Sequence, residues 1–404
     1  MKKSISNQAV TELITPSDKS SSILAKLANI TIPSWLYSVI IFVAILIPRT
    51  TTLATFLTAD EDDQLDFARR FLESVLQLDW AGALVIGYPG VPTMGVGAMG
   101  LWLRYQAHAL DWLILPHADA NLNLTLTNVL HYPLEYIEAV RLPMALMSAM
   151  VIFLIFIFLR RLLNEKIAFI ASLVIAFDPF MLAHSRILHV DGPLAYFMFA
   201  AFIAFILYLD NGEWRWLILS GILGGLAALS KTPALVLGPI LVTTGLLYII
   251  FPHAGVTRWS QSKRLIYALV VWGCIAGLAF FAMWPSMWAR PMFALEWLYK
   301  NLVSIAQFES HPTSGVFWGY FGSDRNPFYY AIVFPFHLTL FSTIGMLIGL
   351  IGIIIGCGNR WRQTDSFVNR HLPLMFSLVA YICLVIIPFS YIPRRGDRYI
   401  LPVY

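Results

Sequence analysis

Charged side chains are scarce in this sequence. Only 12% of its 404 residues are Asp, Glu, Lys or Arg, whereas a soluble domain has about 25%. Hydrophobic residues make up 58%, a balance that excludes a disordered chain, an ordinary cytosolic enzyme and a nucleic-acid-binding domain. The apolar residues fall in blocks long enough to cross a bilayer, so the composition predicts a multi-pass membrane protein with no nucleic-acid partner.

Cysteine is also rare, and several common motifs are missing. The three cysteines lie in or beside apolar blocks without the spacing of a metal site or a disulfide framework, which argues against zinc and redox chemistry. There is no Gly-rich phosphate loop, no Ser-His-Asp order, no His-Glu-x-x-His motif and no internal repeat. Nucleotide-dependent and zinc-protease classes are therefore disfavoured.

The apolar blocks predict an all-α integral membrane bundle. We expect about nine spans, with edges uncertain by several residues. The predicted spans are 33–48, 144–159, 167–182, 193–209, 217–228, 234–251, 265–284, 328–356 and 372–388.

Basic residues predict the orientation of these spans. Segments on the side of the N-terminus hold 14 of the 27 lysines and arginines, although they are short, which places the N-terminus in the cytoplasm. The apolar stretch 94–115 carries Arg104, His108 and Asp111, so we predict a helix on the outer membrane face rather than a tenth span. Outer loops then cover about 49–143 and 285–327, which points to extracytoplasmic chemistry.

Carboxylates follow the first predicted span in the run Asp60-Glu61-Asp62-Asp63. They can act as a general base or bind a metal at the membrane surface. They can equally cap the amphipathic helix that follows and complement its dipole. Farther along, Gly87-Tyr-Pro-Gly-Val-Pro-Thr-Met94 is rich in turn formers, which favours a tight loop over a pocket wall.

A second polar cluster lies in the short turn between spans three and four. Arg186, His189 and Asp191 fall within six residues, and Asp191 precedes Gly-Pro. Asp191 can be a helix cap, but the cluster favours an active-site acid with Arg186 as the partner of a phosphate or carboxylate.

Isolated cations lie after the later spans. Lys231 either extends to the membrane interface or meets a lipid phosphate. The outer C-terminal stretch carries Arg394, Arg395 and Arg398, followed by Tyr399, against the positive-inside bias. An anionic lipid headgroup or a pyrophosphate is the natural partner, because guanidinium groups match phosphate oxygens. The tryptophans of 284–318 favour an interfacial belt over sugar stacking.

Taken together, these motifs resemble those of a known group. An Asp-Glu pair after the first span, an Arg…Asp-x-Pro-Leu turn, a Ser-Lys-x-Pro turn and Asp-Arg-Tyr-x-Leu-Pro-Val-Tyr are similar to those of GT-C glycosyltransferases. The nearest group is the protein O-mannosyltransferase and aminoarabinose transferase superfamily (glycosyltransferase family 39 and its relatives). The likeness covers nearly the whole chain as a single GT-C-like domain. Relatives continue beyond the motif that ends at Tyr404, so we expect a C-terminally truncated chain.

The resemblance implies a polyprenyl-phosphate-linked sugar donor and transfer on the outer face of the plasma (inner) membrane. Asp60 matches the catalytic aspartate, Glu61 its companion, and Asp191 the acid after the third span, with Arg186 upstream. His189, Lys231, the three C-terminal arginines and Tyr399 are then expected to bind substrate or lipid phosphate. The acceptor is a protein, a lipid or a polysaccharide; no cofactor is certain, and a divalent metal is possible.

The residues leave two other functions open. A transporter or flippase of lipid-linked sugars predicts ionisable residues inside spans and internal repeats, yet only Asp178 lies within a predicted span. A membrane scaffold needs no clustered outer acids and arginines. Direct displacement with inversion at the anomeric carbon, with Asp60 as the base, is the mechanistic hypothesis.

Overall fold

The structure of the protein is a computed structural model. It describes the chain with gaps, over residues 33–106, 122–251, 258–307, 316–317, 320–321, 328–361, 367–391 and 397–404. Its contacts divide the chain into residues 1–40 and 41–404. Of the first unit only 33–40 are described, as the start of a helix, and the features below belong to the second.

Helices make up most of the described chain, which confirms the predicted all-α class. They are α1 (Ser34–Thr50), α2 (Glu61–Leu76), α3 (Val91–Gln106), α4 (Leu122–His131), α5 (Pro133–Leu162), α6 (Glu165–Phe177), α7 (Pro179–His184), α8 (Asp191–Asn211), α9 (Trp214–Ser230), α10 (Leu237–Ile250), α11 (Arg258–Met283), α12 (Ser286–Ala289), α13 (Pro291–Gln307), α14 (Tyr329–His337), α15 (Leu340–Trp361) and α16 (Phe367–Ser390). Two 3-10 helices span Thr232–Val236 and Asp397–Val403. Strands β1 (Val316–Phe317) and β2 (Tyr320–Phe321) form a short antiparallel pair.

The number of long apolar helices is smaller than predicted. Within the described residues, six helical segments are long and apolar enough to cross a membrane, and two shorter apolar helices, α1 and α9, accompany them. The six are Pro133–Leu162, Asp191–Asn211, Thr232–Ile250, Ser262–Met283, Leu340–Gly358 and His371–Ser390. The multi-pass character is therefore confirmed, whereas the count of nine is not.

Local chain chemistry explains two of the differences. The predicted span 167–182 breaks at Asp178, because the residue before Pro179 disfavours helical backbone. The Asp178 side chain then accepts a hydrogen bond from the Met181 N–H and caps α7. The predicted span 328–356 is likewise two helices, since the Thr339 hydroxyl accepts from the Ser342 N–H at the start of α15.

The predicted outer loops contain much regular structure. The first includes α2, α3 and α4, and the second contains the 17-residue helix α13, in agreement with the predicted all-α class. The predicted surface helix 94–115 corresponds to α3 as far as Gln106, and its remainder lies outside the described residues. Gly100 lets α3 approach α5, because a Cβ there would collide with the Ala139 backbone.

Helix α2 packs its apolar face against α3 and covers the candidate site. Leu65, Ala68, Phe71 and Leu72 are buried in the cluster that these helices share. The sequence pattern predicts an apolar face of Phe67, Phe71, Val75 and Leu78 for this helix; Phe71 is buried, whereas Leu78 is exposed beyond the end of the helix. This packing holds the first turn of α2, and the acids within it, beside the turn before α8.

Candidate active site

Asp60 lies at the N-terminus of α2 but caps no backbone N–H there. Its side chain instead forms an ion pair with the Arg398 guanidinium, contributed by the C-terminal 3-10 helix. His189 Nε2 lies 3.5 Å from the same carboxylate oxygen. The carboxylate remains 39% exposed, so it is accessible as well as partnered.

Glu61 has a different environment from its neighbour. Its side chain is fully buried and accepts from Arg141 Nε at 2.8 Å and Arg141 Nη2 at 2.5 Å. The Thr58 N–H and hydroxyl and the Leu188 N–H complete its shell. These donors come from α5, from the segment before α2 and from the turn before α8, so Glu61 links these three parts of the chain.

Asp191 opens α8, and its side chain turns towards three basic groups. Oδ1 accepts from Lys231 Nζ at 2.7 Å. Among the residues that the structure describes, buried Oδ2 has no hydrogen-bond partner; it lies 3.3 Å from His189 Nδ1 and 3.6 Å from Arg398 Nε. Lys231, at the end of α9, therefore meets a carboxylate rather than extending freely to the interface.

The C-terminal 3-10 helix completes the cluster. It packs against α8 and α16, which places Arg398 between Asp60 and Asp191. The Tyr399 ring lies beneath Lys231 Nζ, 4.8 Å from its centroid. The structure thus brings together Asp60, Asp191, His189 and Lys231 with this segment. Arg394 and Arg395 lie outside the described residues.

Electrostatics distinguish the members of this cluster. Burial raises the pKa of Asp60, but the hydrogen bond and charge of Arg398 outweigh it and leave that pKa below its usual value. Burial lowers the pKa of His189 to about 4, against the opposing effect of Asp191, so the ring is neutral at pH 7. Arg398 shows the complementary effect: burial lowers its pKa, but the hydrogen bond with Asp60 and the charges of Asp191 and Asp60 outweigh burial and leave that pKa above its usual value.

Two cavities meet at Asp60, His189 and Arg398. The first, here called the apolar cavity, has a volume of about 510 Å³. Its walls include Lys231 and Tyr399 beside apolar side chains, among them Phe67, Leu235, Val236, Leu302 and Phe389. Its size lies within the range of small-molecule sites, and it combines an apolar wall with two cations.

The second, here called the threonine cavity, has a volume of about 520 Å³. Polar side chains are more frequent in its wall, which includes Thr52, Thr55, Thr58, His184 and Arg186. Arg186 thus lies in the wall of the threonine cavity and is absent from that of the apolar cavity, which contains Lys231 and Arg398.

The sequence interpretation missed two contributors, Tyr88 and Arg141. Tyr88 belongs to the segment predicted as a tight loop, yet it lines the apolar cavity, and its hydroxyl accepts from Gln64 Nε2 at 3.0 Å. Arg141 was assigned to the outer loop because the span was placed from 144. It lies inside α5, where a buried cation in an apolar helix would have marked a special position.

A metal site finds no support in the donor set. Among the residues that the structure describes, no group of three or more His, Cys, Asp or Glu side chains could hold a metal ion. Asp60 and Asp191 are already paired with Arg398 and Lys231, so these carboxylates do not fit a divalent cation as arranged. The possible metal stays a prediction.

Comparison with known families bears on the same residues. Residues 134–284 match the family model described as dolichyl-phosphate-mannose-protein mannosyltransferase. The predicted resemblance is confirmed for this segment. It contains Arg141, Arg186, His189, Asp191 and Lys231, whereas Asp60 and Arg398 lie outside it. Comparison with curated protein sequences gives no match.

Two solved structures are similar over most of the chain. One is the archaeal oligosaccharyltransferase AglB from Archaeoglobus fulgidus in complex with an inhibitory peptide and a dolichol-phosphate, at 13% identity and a TM-score of 0.48. This alignment covers 91% of the present chain and 48% of the other. The apo form of the Archaeoglobus fulgidus oligosaccharyltransferase gives 14% identity, a TM-score of 0.45 and coverage of 92% and 49%. The chain thus spans about half the length of these structures.

Proposed function

We propose that the protein is a membrane glycosyltransferase that moves a sugar from a polyprenyl-phosphate donor to an acceptor hydroxyl. One observation carries the proposal: an accessible carboxylate, Asp60, lies where an apolar cavity with two cations meets a more polar cavity. Donor and acceptor can then approach the same carboxylate from two different cavities. The match of residues 134–284 to a mannosyltransferase family model supports the same reaction class.

The apolar cavity suits the donor. A polyprenyl phosphate carries an apolar tail and an anionic head, and the cavity supplies apolar side chains together with Lys231 and Arg398. Ionised donors of this kind form strong hydrogen bonds with phosphate oxygens. The Tyr399 ring, which contacts both cations, holds them on one side of the cavity.

The reaction is a single displacement. The acceptor oxygen forms a bond to the anomeric carbon, its proton passes to Asp60, and the bond from that carbon to the phosphate oxygen breaks. The electron pair leaves with the polyprenyl phosphate, whose developing charge Arg398 and Lys231 stabilise. Attack from the side of the threonine cavity, opposite the leaving phosphate, inverts the linkage.

Arg398 links donor binding to the strength of the base. Without donor, its guanidinium pairs with Asp60 and keeps the pKa of that carboxyl low. A donor phosphate competes for the same guanidinium, and each hydrogen bond lost by Asp60 makes it a better proton acceptor. Glu61 acts as a positioning residue, because its shell is complete without substrate.

Orientation and cellular location belong to the same proposal. In this proposal the site lies at headgroup depth on the extracytoplasmic face of the plasma membrane, and the N-terminus lies in the cytoplasm. The excess of basic residues in the predicted inner segments supports this orientation.

The decisive experiment uses membranes that contain the protein and a radiolabelled polyprenyl-phosphate sugar. Label transferred to a protein, lipid or polysaccharide fraction supports the glycosyltransferase. Movement of intact label across the bilayer without bond cleavage supports a transporter and contradicts the proposal. Membranes that contain the Arg70→Gln variant serve as a control and should transfer label as the wild type does. Arg70 forms a surface ion pair with Asp66 on α2 and lines neither cavity.

A further inference from the structure

The threonine cavity contains a cation that the proposed reaction does not use. Arg186 Nη2 donates to the Thr51 and Thr52 carbonyl oxygens and to the Thr52 hydroxyl. Among the described residues, the other two nitrogens of Arg186, Nε and Nη1, have no hydrogen-bond partner. The guanidinium also forms no ion pair with a described carboxylate. A guanidinium has five N–H donors, so several of them remain available to a ligand.

The other arginines of this cavity are already neutralised. Arg141 donates from all three nitrogens to Glu61 and to the Leu53 and Phe56 carbonyls. Arg398 is paired with Asp60. Of the described residues, three arginines and one aspartate line the cavity, and Arg186 is the arginine that has no carboxylate partner among them.

The surroundings of Arg186 favour an anion. Burial lowers the pKa of Arg186, and the nearby charge of Arg141 lowers it further. An anion in the cavity would offset this repulsion between like charges. Because Arg186 lies in the threonine cavity and Lys231 in the apolar cavity, that anion is distinct from the donor phosphate.

We propose that the threonine cavity binds the acceptor, and that Arg186 selects a peptide segment with an acidic side chain near the reacting hydroxyl. This inference rests on the proposed function. A peptide is favoured over a second lipid, because threonine, histidine and arginine side chains occupy much of this wall. The guanidinium can donate two parallel hydrogen bonds to a carboxylate. The acceptor is then selected by its negative charge and also by the orientation of its carboxylate.

The first arm of the test measures transfer kinetics with paired synthetic peptides. Each carries one threonine, flanked by Glu in one peptide and by Gln in its partner. We expect the wild-type protein to prefer the Glu peptide through a lower KM. Arg186→Gln should raise the KM for that peptide about 10- to 100-fold, the loss expected for a charge-assisted contact, with the donor KM unchanged. Arg186→Lys should retain part of the preference, because it keeps the charge but not the fork.

The second arm measures binding without turnover, by the anisotropy of fluorescently labelled peptides added to the purified full chain. Arg186-dependent binding of the Glu peptide in the absence of any sugar transfer would sustain the anion site and reject the proposed function. Transfer with no preference for Glu, in the wild type and in Arg186→Gln alike, would reject the inference and leave the function standing.

Two further outcomes would also overturn the inference. An Arg186→Gln effect on the donor KM alone would assign this guanidinium to the donor phosphate. Displacement of the Glu peptide by a phosphorylated glycolipid, which then accepts the sugar, would identify a lipid acceptor instead. Arg70→Gln is the matched control for removing an arginine charge, because Arg70 forms a surface ion pair and lines neither cavity, and thermal unfolding checks that each variant is folded.

Discussion

At the scale of single residues, Asp60 and Glu61 are adjacent in the sequence but have different surroundings. Glu61 lies inside the helix and is surrounded by protein donors, whereas Asp60 precedes it and faces both cavities. The difference arises because α2 begins between them, so their side chains leave the backbone in different directions. Asp60 is consequently the only one of the pair with access to a substrate.

Replacing Asp60 with Asn tests this separation. The amide keeps the size of the side chain but cannot accept the acceptor proton, so we expect the transfer rate to fall about 10²- to 10⁴-fold. Transfer of label from the donor, measured beside thermal unfolding, gives the result. Asp62→Asn is the control. Asp62 lies two residues after Asp60, in the first turn of α2, where it is exposed and lines neither cavity. Full activity of Asp60→Asn would assign the base to another residue.

His189 predicts a pH dependence of stability. Its pKa is about 4 in the folded protein and about 6.5 in an unfolded chain, so only the unfolded state binds a proton between these values. The stabilisation is therefore complete above pH 6.5 and is lost as the pH falls towards 4, by about 3 kcal/mol in total.

Denaturation in detergent at pH 7.5 and 4.5 measures this loss. His189→Asn should lose less stability between the two pH values than the wild type, since Asn does not titrate. His131→Asn, at an exposed position at the end of α4, should behave as the wild type. An unchanged pH difference in His189→Asn would show that other groups cause it.

At the scale of helices, the Glu61–Arg141 pair fixes the start of α2, directly after Asp60. It joins the start of α2 to the interior of α5, and both side chains are at most 5% exposed. Removing one partner leaves a buried charge without compensation, which is far more costly than losing an exposed pair.

Arg141→Met should lower the free energy of unfolding by about 3–5 kcal/mol. Arg70→Met, which breaks the surface pair with Asp66, should cost at most about 1 kcal/mol. Thermal or chemical denaturation compares the two. The double variant Glu61→Gln, Arg141→Met should recover part of the loss, and strictly additive effects would mean that the two side chains do not interact.

At the scale of the whole molecule, the helices create a site from distant segments. Asp60 and Arg398 lie more than 300 positions apart in the sequence, yet they form an ion pair. The turn before α8 and the end of α9 bring His189, Asp191 and Lys231 to the same place. No single segment therefore contains the complete site.

The predicted orientation can be tested on the same scale. In a variant without Cys274, Cys357 and Cys383, we introduce a single cysteine as Asp62→Cys or Lys263→Cys. A membrane-impermeant maleimide should label the first in intact cells and the second only after permeabilisation, because the positive-inside bias places residue 263 in the cytoplasm. The opposite pattern of labelling would reverse the orientation, and transfer activity in the same cells shows that the variants are folded.

The sequence by itself determined the membrane class and most of the candidate site. Long apolar blocks leave no other fold class, because an isolated backbone in lipid must satisfy its own hydrogen bonds. Asp60, Asp191 and Lys231 stand out in the sequence because charged side chains are costly near a membrane and rare among apolar neighbours. Helix breaks such as Asp178-Pro179 are also encoded locally, although the length of the apolar block alone predicts a continuous span there.

Tertiary structure alone decided which of these residues share a site and what each does. Packing of α2 against α3 and α5 buried Glu61 on Arg141 and left Asp60 exposed, a distinction that adjacent carboxylates in a sequence do not reveal. It also placed Tyr88 in the apolar cavity and Arg186 in the threonine cavity. These assignments depend on contacts between residues far apart in the chain, and local patterns of hydrophobicity and charge carry no information about such distances.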